Sequence, residues 1–344
     1  MKSQRNDTLG ILKLFASYMV VFIHVQFYGQ IGSAVDALAR FAVPFFFLVS
    51  GFFSHEITTQ KIKERILKLL SLTFLAFTIY WGYNILTLLQ ERSNLELDQY
   101  FMQYFKLETM LQLLLLNVPV HTGHLWYLLA IIYVYILYYY FTAYKLSEKL
   151  LYVISLLALI LHLLMGEVLT AFNVVIPTPF VRNFALMGVP FFGAGVIAKQ
   201  HVQTLRKTPT YIIMGSIIFG ILETVLSRYV FGENQLYIGS LFVVFSFLVV
   251  FIKYPELKCP SSLLVLTKCS TYIYILHPLV SSILKKIYTL VGIDFSVSFI
   301  EGMLHPIIVC IISTIMAYLL LEIISYKNKL AKKIAKNQLE EHHG

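Results

Sequence analysis

Charge is what this chain has least of. Only 13% of its 344 residues are Asp, Glu, Lys or Arg, about half the share usual in a soluble domain. So little charge excludes an ordinary water-soluble fold of this length. Cysteine is nearly absent as well. Cys259, Cys269 and Cys310 share no ligand spacing, so neither a disulfide framework nor a zinc site is supported, and no metal is expected. Long polar stretches are also missing. The longest, residues 91–123, is itself half apolar, which leaves no soluble domain over. Its segment MLQLLLLN, residues 110–117, suits the membrane interface or a dip into the protein.

What is present is apolar. With 58% hydrophobic residues and a mean hydropathy of +0.75, the chain reads as a polytopic membrane protein of all-α class. About ten stretches can cross a hydrocarbon layer of roughly 30 Å. They fall near residues 9–29, 37–56, 68–90, 124–143, 149–166, 182–199, 210–230, 235–252, 264–288 and 302–325. The expectation is one bundle and one domain over 1–344, with its core at 5–325 and a basic cytoplasmic tail at 326–344.

Basic residues orient the bundle. With the N-terminus inside, 20 of the 27 Lys and Arg fall on the cytoplasmic side, among them Lys2, Arg5, Lys61, Lys63, Arg65 and Lys68. Only Arg40, Arg92, Lys106, Arg182, Arg228, Lys285 and Lys286 fall outside. The net charge of +9 is accounted for by this bias and by anionic headgroups, so no nucleic-acid partner is inferred. Both termini are therefore expected in the cytoplasm. The first span lacks a small-residue cleavage site and reads as a retained helix.

Polar groups inside the spans carry the functional argument, because an unsatisfied one costs several kcal/mol in hydrocarbon. Lys13 and His24 lie eleven residues apart, close to three helical turns, so they share a face about 16 Å apart along the axis. They can line one cavity but cannot touch. The bland alternative is a snorkelling lysine and a structural histidine. Arg40 precedes the run FAVPFFFLVSGFF, where Pro44 and Gly51 are expected to loosen the helix. Lys61, Lys63, Arg65 and Lys68 suit a polyphosphate donor, although the positive-inside rule alone explains most of that cluster. The run HTGHLWYL sets His121, His124, Trp126 and Tyr127 at the outer interface, where aromatics need no catalytic reason. His277 precedes Pro278, where a helix break is expected, and His305 precedes Pro306. His162 and His305 read as structural or interfacial. Glu223 and Glu322 are the in-span acids. The motif VPFF occurs at 43–46 and 189–192 in spans of the same direction, and it reads as a chance echo.

Together these segments resemble the bacterial type-3 acyltransferase family over about residues 5–325. The likeness rests on Arg5 and Asp7, a basic residue ahead of an in-membrane histidine, VPFFFLVSGFF, a basic pair in the next loop, HLWYL and YILHPLV. The resemblance implies an integral enzyme of the bacterial cytoplasmic membrane. Such enzymes move acyl groups, usually acetyl from acetyl-CoA, onto hydroxyls of cell-envelope or exported sugars. Carried across, His24 takes the place of the essential histidine, while Lys13, Arg65 and Lys68 take the places of donor-side arginines. Lysine replaces arginine twice, offering a point charge for a planar fork. His24 is then the expected general base or a covalent acyl carrier, with acyl-CoA as co-substrate and no resident cofactor. Arg40, His124, Trp126, Tyr127 and His277 are the expected acceptor or cavity residues. The acceptor is expected to be a glycan or lipid-linked sugar, with membrane lipid and glycan-assembly proteins as further partners. A secondary transporter and a scaffold subunit remain alternatives, the first requiring an acid that cycles protons or binds sodium.

Overall fold

A computed structural model describes residues 6–90, 94–292 and 299–341, so Lys2, Arg5, Arg92 and the terminal His342 and His343 lie outside the described residues. The chain is 83% helical, with no strand among the described residues. Its helices are α1 (Asp7–His24), α2 (Gly29–Ala39), α3 (Ala42–Phe52), α4 (Thr59–Gln90), α5 (Asn94–Tyr104), α6 (Leu107–Leu116) and α7 (Trp126–Ala143). Then follow α8 (Glu148–Leu163), α9 (Val189–Gln200), α10 (Thr210–Phe231), α11 (Ile238–Lys253), α12 (Ser270–Val291) and α13 (Phe299–Glu341), with shorter helical segments, turns and loops between them.

Among the described residues, eight helical segments are long and apolar enough to span a membrane: Asp7–His24, Gly29–Phe52, Thr59–Gln90, Gly123–Ala143, Glu148–Ala171, Thr210–Phe231, Ser261–Val291 and Gly302–Lys327. Two further predicted spans correspond to the shorter helices Phe184–Gln200 and Ile238–Lys253. At 1.5 Å per residue these reach about 24 Å, short of a full hydrocarbon layer. The segment expected at the interface forms α6, which has no buried residue and ends at Asn117 in the left-handed region, φ 50°.

α1 ends at His24, five residues before the predicted end of its span. The reversal into α2 needs two glycines. Gly29 adopts φ +63°, and a Cβ on Gly32 would stand 1.9 Å from the Phe27 carbonyl oxygen. The start of α1 is pinned as firmly. Asn6 caps it by accepting from the Leu9 N–H at 2.8 Å and donates to the Phe251 carbonyl at 2.8 Å, while Thr8 donates to the Tyr254 carbonyl. α1 therefore cannot rotate freely, and the face shared by Lys13 and His24 is held inward.

The helices that open with VPFF, α3 and α9, pack directly against each other. A Cβ on Gly51 would stand 1.9 Å from the Phe192 carbonyl oxygen, and one on Gly195 would stand 2.0 Å from that of Leu48. Such backbone approach is how membrane helices gain dispersion energy where lipid offers no hydrophobic drive. Glycine serves here as a packing surface, and the helix α3 runs unbroken past Pro44 and Gly51; the break lies before it, at Arg40 and Phe41.

α12 also runs unbroken through Pro278, where a break was expected. The reason is Tyr80 of α4. Its hydroxyl donates to the Ile275 carbonyl at 2.6 Å and accepts from the Leu279 N–H at 3.2 Å, so the backbone groups loosened beside the proline stay satisfied. Two carboxylates serve α11 in the same way. Glu167 accepts the Ile238 N–H at 2.9 Å and Glu223 accepts the Gly239 N–H, answering orphan donors of its first turn.

Candidate active site

α1, the α2–α3 junction, the first turn of α7, the loop before α9 and α12 surround two adjoining cavities. The inner one, about 190 Å³, is lined by Lys13, Phe46, Ser50, Leu69, Tyr127 and Thr271 among others. The second, about 30 Å³, is lined by His24, Arg40, His124, Trp126, Arg182 and Gln235 among others. Val20, Val43 and Tyr274 belong to both walls, so one layer of side chain separates the two chambers. Lys13 and His24 thus line adjoining chambers, as their helical spacing allows.

The His24 ring keeps open surface although protein surrounds it. Two more imidazoles stand beside it, His277 at 5.3 Å and His124 at 6.3 Å between ring centroids. His277 is fully buried; its Nδ1 faces the Ile273 carbonyl at 3.3 Å and its Nε2 has no partner among the described residues. The Nε2 of His124 has none either, and the Tyr80 ring packs against its imidazole at 4.5 Å. No group of three ligands able to hold a metal exists among the described residues. The histidines of HTGH part company: His121 stacks on Tyr100 at 4.3 Å, where burial holds its imidazole below the usual range, and His124 turns to the His24 chamber.

Two arginines face that chamber in opposite states. Arg40 is buried and charge-paired: one guanidinium nitrogen donates to both oxygens of Asp36 at 2.8 Å and to Glu233 at 2.9 Å, and another donates to Gln235 at 3.0 Å, while its Nε has no partner among the described residues. Asp36 is itself fully buried. The Arg182 guanidinium lies over the Trp126 ring at 5.3 Å and has neither carboxylate nor hydrogen-bond partner among the described residues. Sequence reasoning missed Arg182, Asp36, Glu233 and Gln235. Asp36 carried a signal, since it stands four residues before Arg40 on one helical face.

The expected donor residues separate. Lys13 lines the inner chamber with no acidic partner among the described residues. Arg65 is committed elsewhere, donating to Ser54 at 2.8 Å, to the Phe53 carbonyl at 2.8 Å and to Tyr135 at 3.3 Å. It ties α4 to the end of α3, one turn from Leu69 in the chamber wall. Lys68 is exposed and lines neither chamber. Of the expected acceptor residues, Arg40, His124 and Trp126 line the His24 chamber, Tyr127 lines the inner one, and His277 packs behind both. His162 and His305 are buried in structural contacts, with the Val181 carbonyl and Ser281.

The chain is thus a helical membrane protein whose His24 shares a small chamber with two arginines, next to a chamber lined by a lysine. Residues 6–322 match the family model of the type-3 acyltransferase domain, and the chain belongs to that family. It is an acyltransferase, a transferase of groups other than amino-acyl groups. No curated protein and no solved structure is matched by the chain.

Proposed function

We propose that this enzyme moves an acetyl group from acetyl-CoA to a hydroxyl of a cell-envelope or exported glycan, in the cytoplasmic membrane of a bacterium. The carrying observation is the His24 ring, open to a small chamber that adjoins the one lined by Lys13. The donor enters from the cytoplasmic end, where Lys13 meets its phosphates or pantetheine arm, Lys68 meets phosphate at the surface, and Arg65 holds the mouth in shape. The His24 chamber has room for about two waters' worth of atoms, which suits an acetyl end and disfavours longer acyl chains.

The acceptor hydroxyl gives its proton to His24 as its oxygen attacks the thioester carbonyl. A C–O bond forms, and the guanidinium of Arg182 meets the oxyanion of the tetrahedral intermediate. The C–S bond then breaks, and the imidazolium returns the proton to the departing thiolate, leaving an O-acetyl ester and CoA thiol. Acyl-CoA is a co-substrate, so no resident cofactor or metal is invoked. The glycan or lipid-linked acceptor arrives from the opposite face, in the company of membrane lipid and glycan-assembly proteins.

Transport is the weaker reading because neither of the acids it would use lines the two chambers. Glu223 caps α11 and accepts from Ser227 at 2.7 Å, and Glu322 is exposed on α13. Replacing His24→Ala separates the readings. Acetylated glycan, read by mass spectrometry in cells with normal expression, is expected to fall about 10²–10⁴-fold. Undiminished transfer removes His24 as the base, and lost substrate flux without any acyl product points to transport.

A further inference from the structure

Beyond the His24 chamber lies a third cavity, about 300 Å³, whose walls include Thr170, Thr178, Glu233, Asn234 and Gln235. Gln235 belongs to both cavities and forms the step between them. Its amide oxygen accepts from Arg40 at 3.0 Å, which leaves the amide N–H groups without a partner among the described residues. The Thr178 hydroxyl has none either. Asn234 is buried and, with its amide turned to donate, reaches the Gly166 carbonyl at 2.9 Å and Thr170 at 3.0 Å, so that part of the wall is rigid. Glu233 answers Arg40 at 2.9 Å and Arg228 at 3.8 Å, so no uncompensated charge faces the cavity.

A wall in which hydroxyl, amide and charge-compensated carboxylate groups stand beside the apolar Met165, Val175, Ile176 and Val181 pairs well with a ligand whose hydroxyls both donate and accept and whose C–H faces are apolar. It offers nothing to an extra anion, which would lie against Glu233. The volume is at the lower end of small-molecule sites and suits one sugar ring. We infer that this cavity seats the acceptor as an uncharged, hydroxyl-rich sugar unit, with the reacting hydroxyl passed over Gln235 to His24. The inference rests on the acetyl-transfer reading and names where its acceptor binds. It also gives Arg40 a positioning part, since that side chain fixes both Glu233 and Gln235.

The test uses the full chain in lipid nanodiscs with acetyl-CoA and three acceptor probes: glucose, N-acetylglucosamine and glucuronate. Gln235→Glu keeps the oxygen that Arg40 holds and removes the free N–H donors, while Thr178→Val keeps side-chain volume and removes a hydroxyl. Each is expected to raise KM for the neutral sugars about tenfold, the loss of one hydrogen bond, with kcat changed much less. Glucuronate should be a poor acceptor throughout. The two variants lie on separate elements, so a failure of one to fold leaves the other informative. Unchanged KM in the folded variants overturns the assignment. So does a preference for glucuronate, or a parent enzyme that turns over acetyl-CoA through His24 yet acetylates neither neutral sugar. Transfer that survives His24→Ala instead removes the acetyl-transfer reading, a result distinct from all of these.

Discussion

Arg40 and Arg182 face the same small chamber, and the contrast between them separates holding the site together from acting in it. Arg40 is surrounded by Asp36, Glu233 and Gln235, so its charge is spent on joining α2 to the loop before α11. Arg182 has an indole face and no counter-charge among the described residues. A buried pair matters to stability chiefly because removing one partner strands the other. An unanswered guanidinium contributes little to stability and can meet an oxyanion when one arrives.

The contrast can be broken in three ways. Asp36→Ala strands a buried guanidinium and is expected to lower stability by about 3 kcal/mol, the low end for a broken buried pair because Glu233 and Gln235 remain. Thermal unfolding in nanodiscs measures it, and an unchanged midpoint would show that Arg40 does not depend on its nearest carboxylate. Arg182→Met should lower kcat about 10²–10³-fold while leaving the unfolding midpoint where it was. A stability loss with normal kcat would make Arg182 a second structural cation and end the contrast. Lys68→Ala sharpens the picture from the donor side. An exposed lysine outside both chambers should change stability by less than about 0.5 kcal/mol and raise the KM for acetyl-CoA only slightly, more so at low salt.

The two chambers were unequally legible in the sequence. Lys13 and His24 were readable because both sit on one helix, where spacing alone decides whether they share a face. The span composition was readable for the same reason: a lipid-facing helix must be apolar, whatever it packs against. Pro278 misled because proline's local cost is visible in sequence while its remedy, the hydroxyl of Tyr80, lies about two hundred positions away. That the two helices opened by VPFF lie against each other was not legible, because nothing local in the chain records which helices meet. The hydrogen bonds of Arg65 to the turn after α3 and to Tyr135 of α7 were not legible from its place in a basic loop, because those partners lie on other elements.

Arg182 is the clearest case of what sequence left open. In the chain it is one basic residue in an outer loop, indistinguishable from Arg228. Its meaning comes from Trp126, fifty-six positions earlier, and from a chamber it shares with His24. The order of residues determined the helical class, the membrane as solvent, and the shared face of Lys13 and His24, since each follows from short-range periodicity and transfer energy. Which cations are answered and which stay free was decided only by tertiary packing, because a charge finds its partner through space and the chain carries no local record of that encounter.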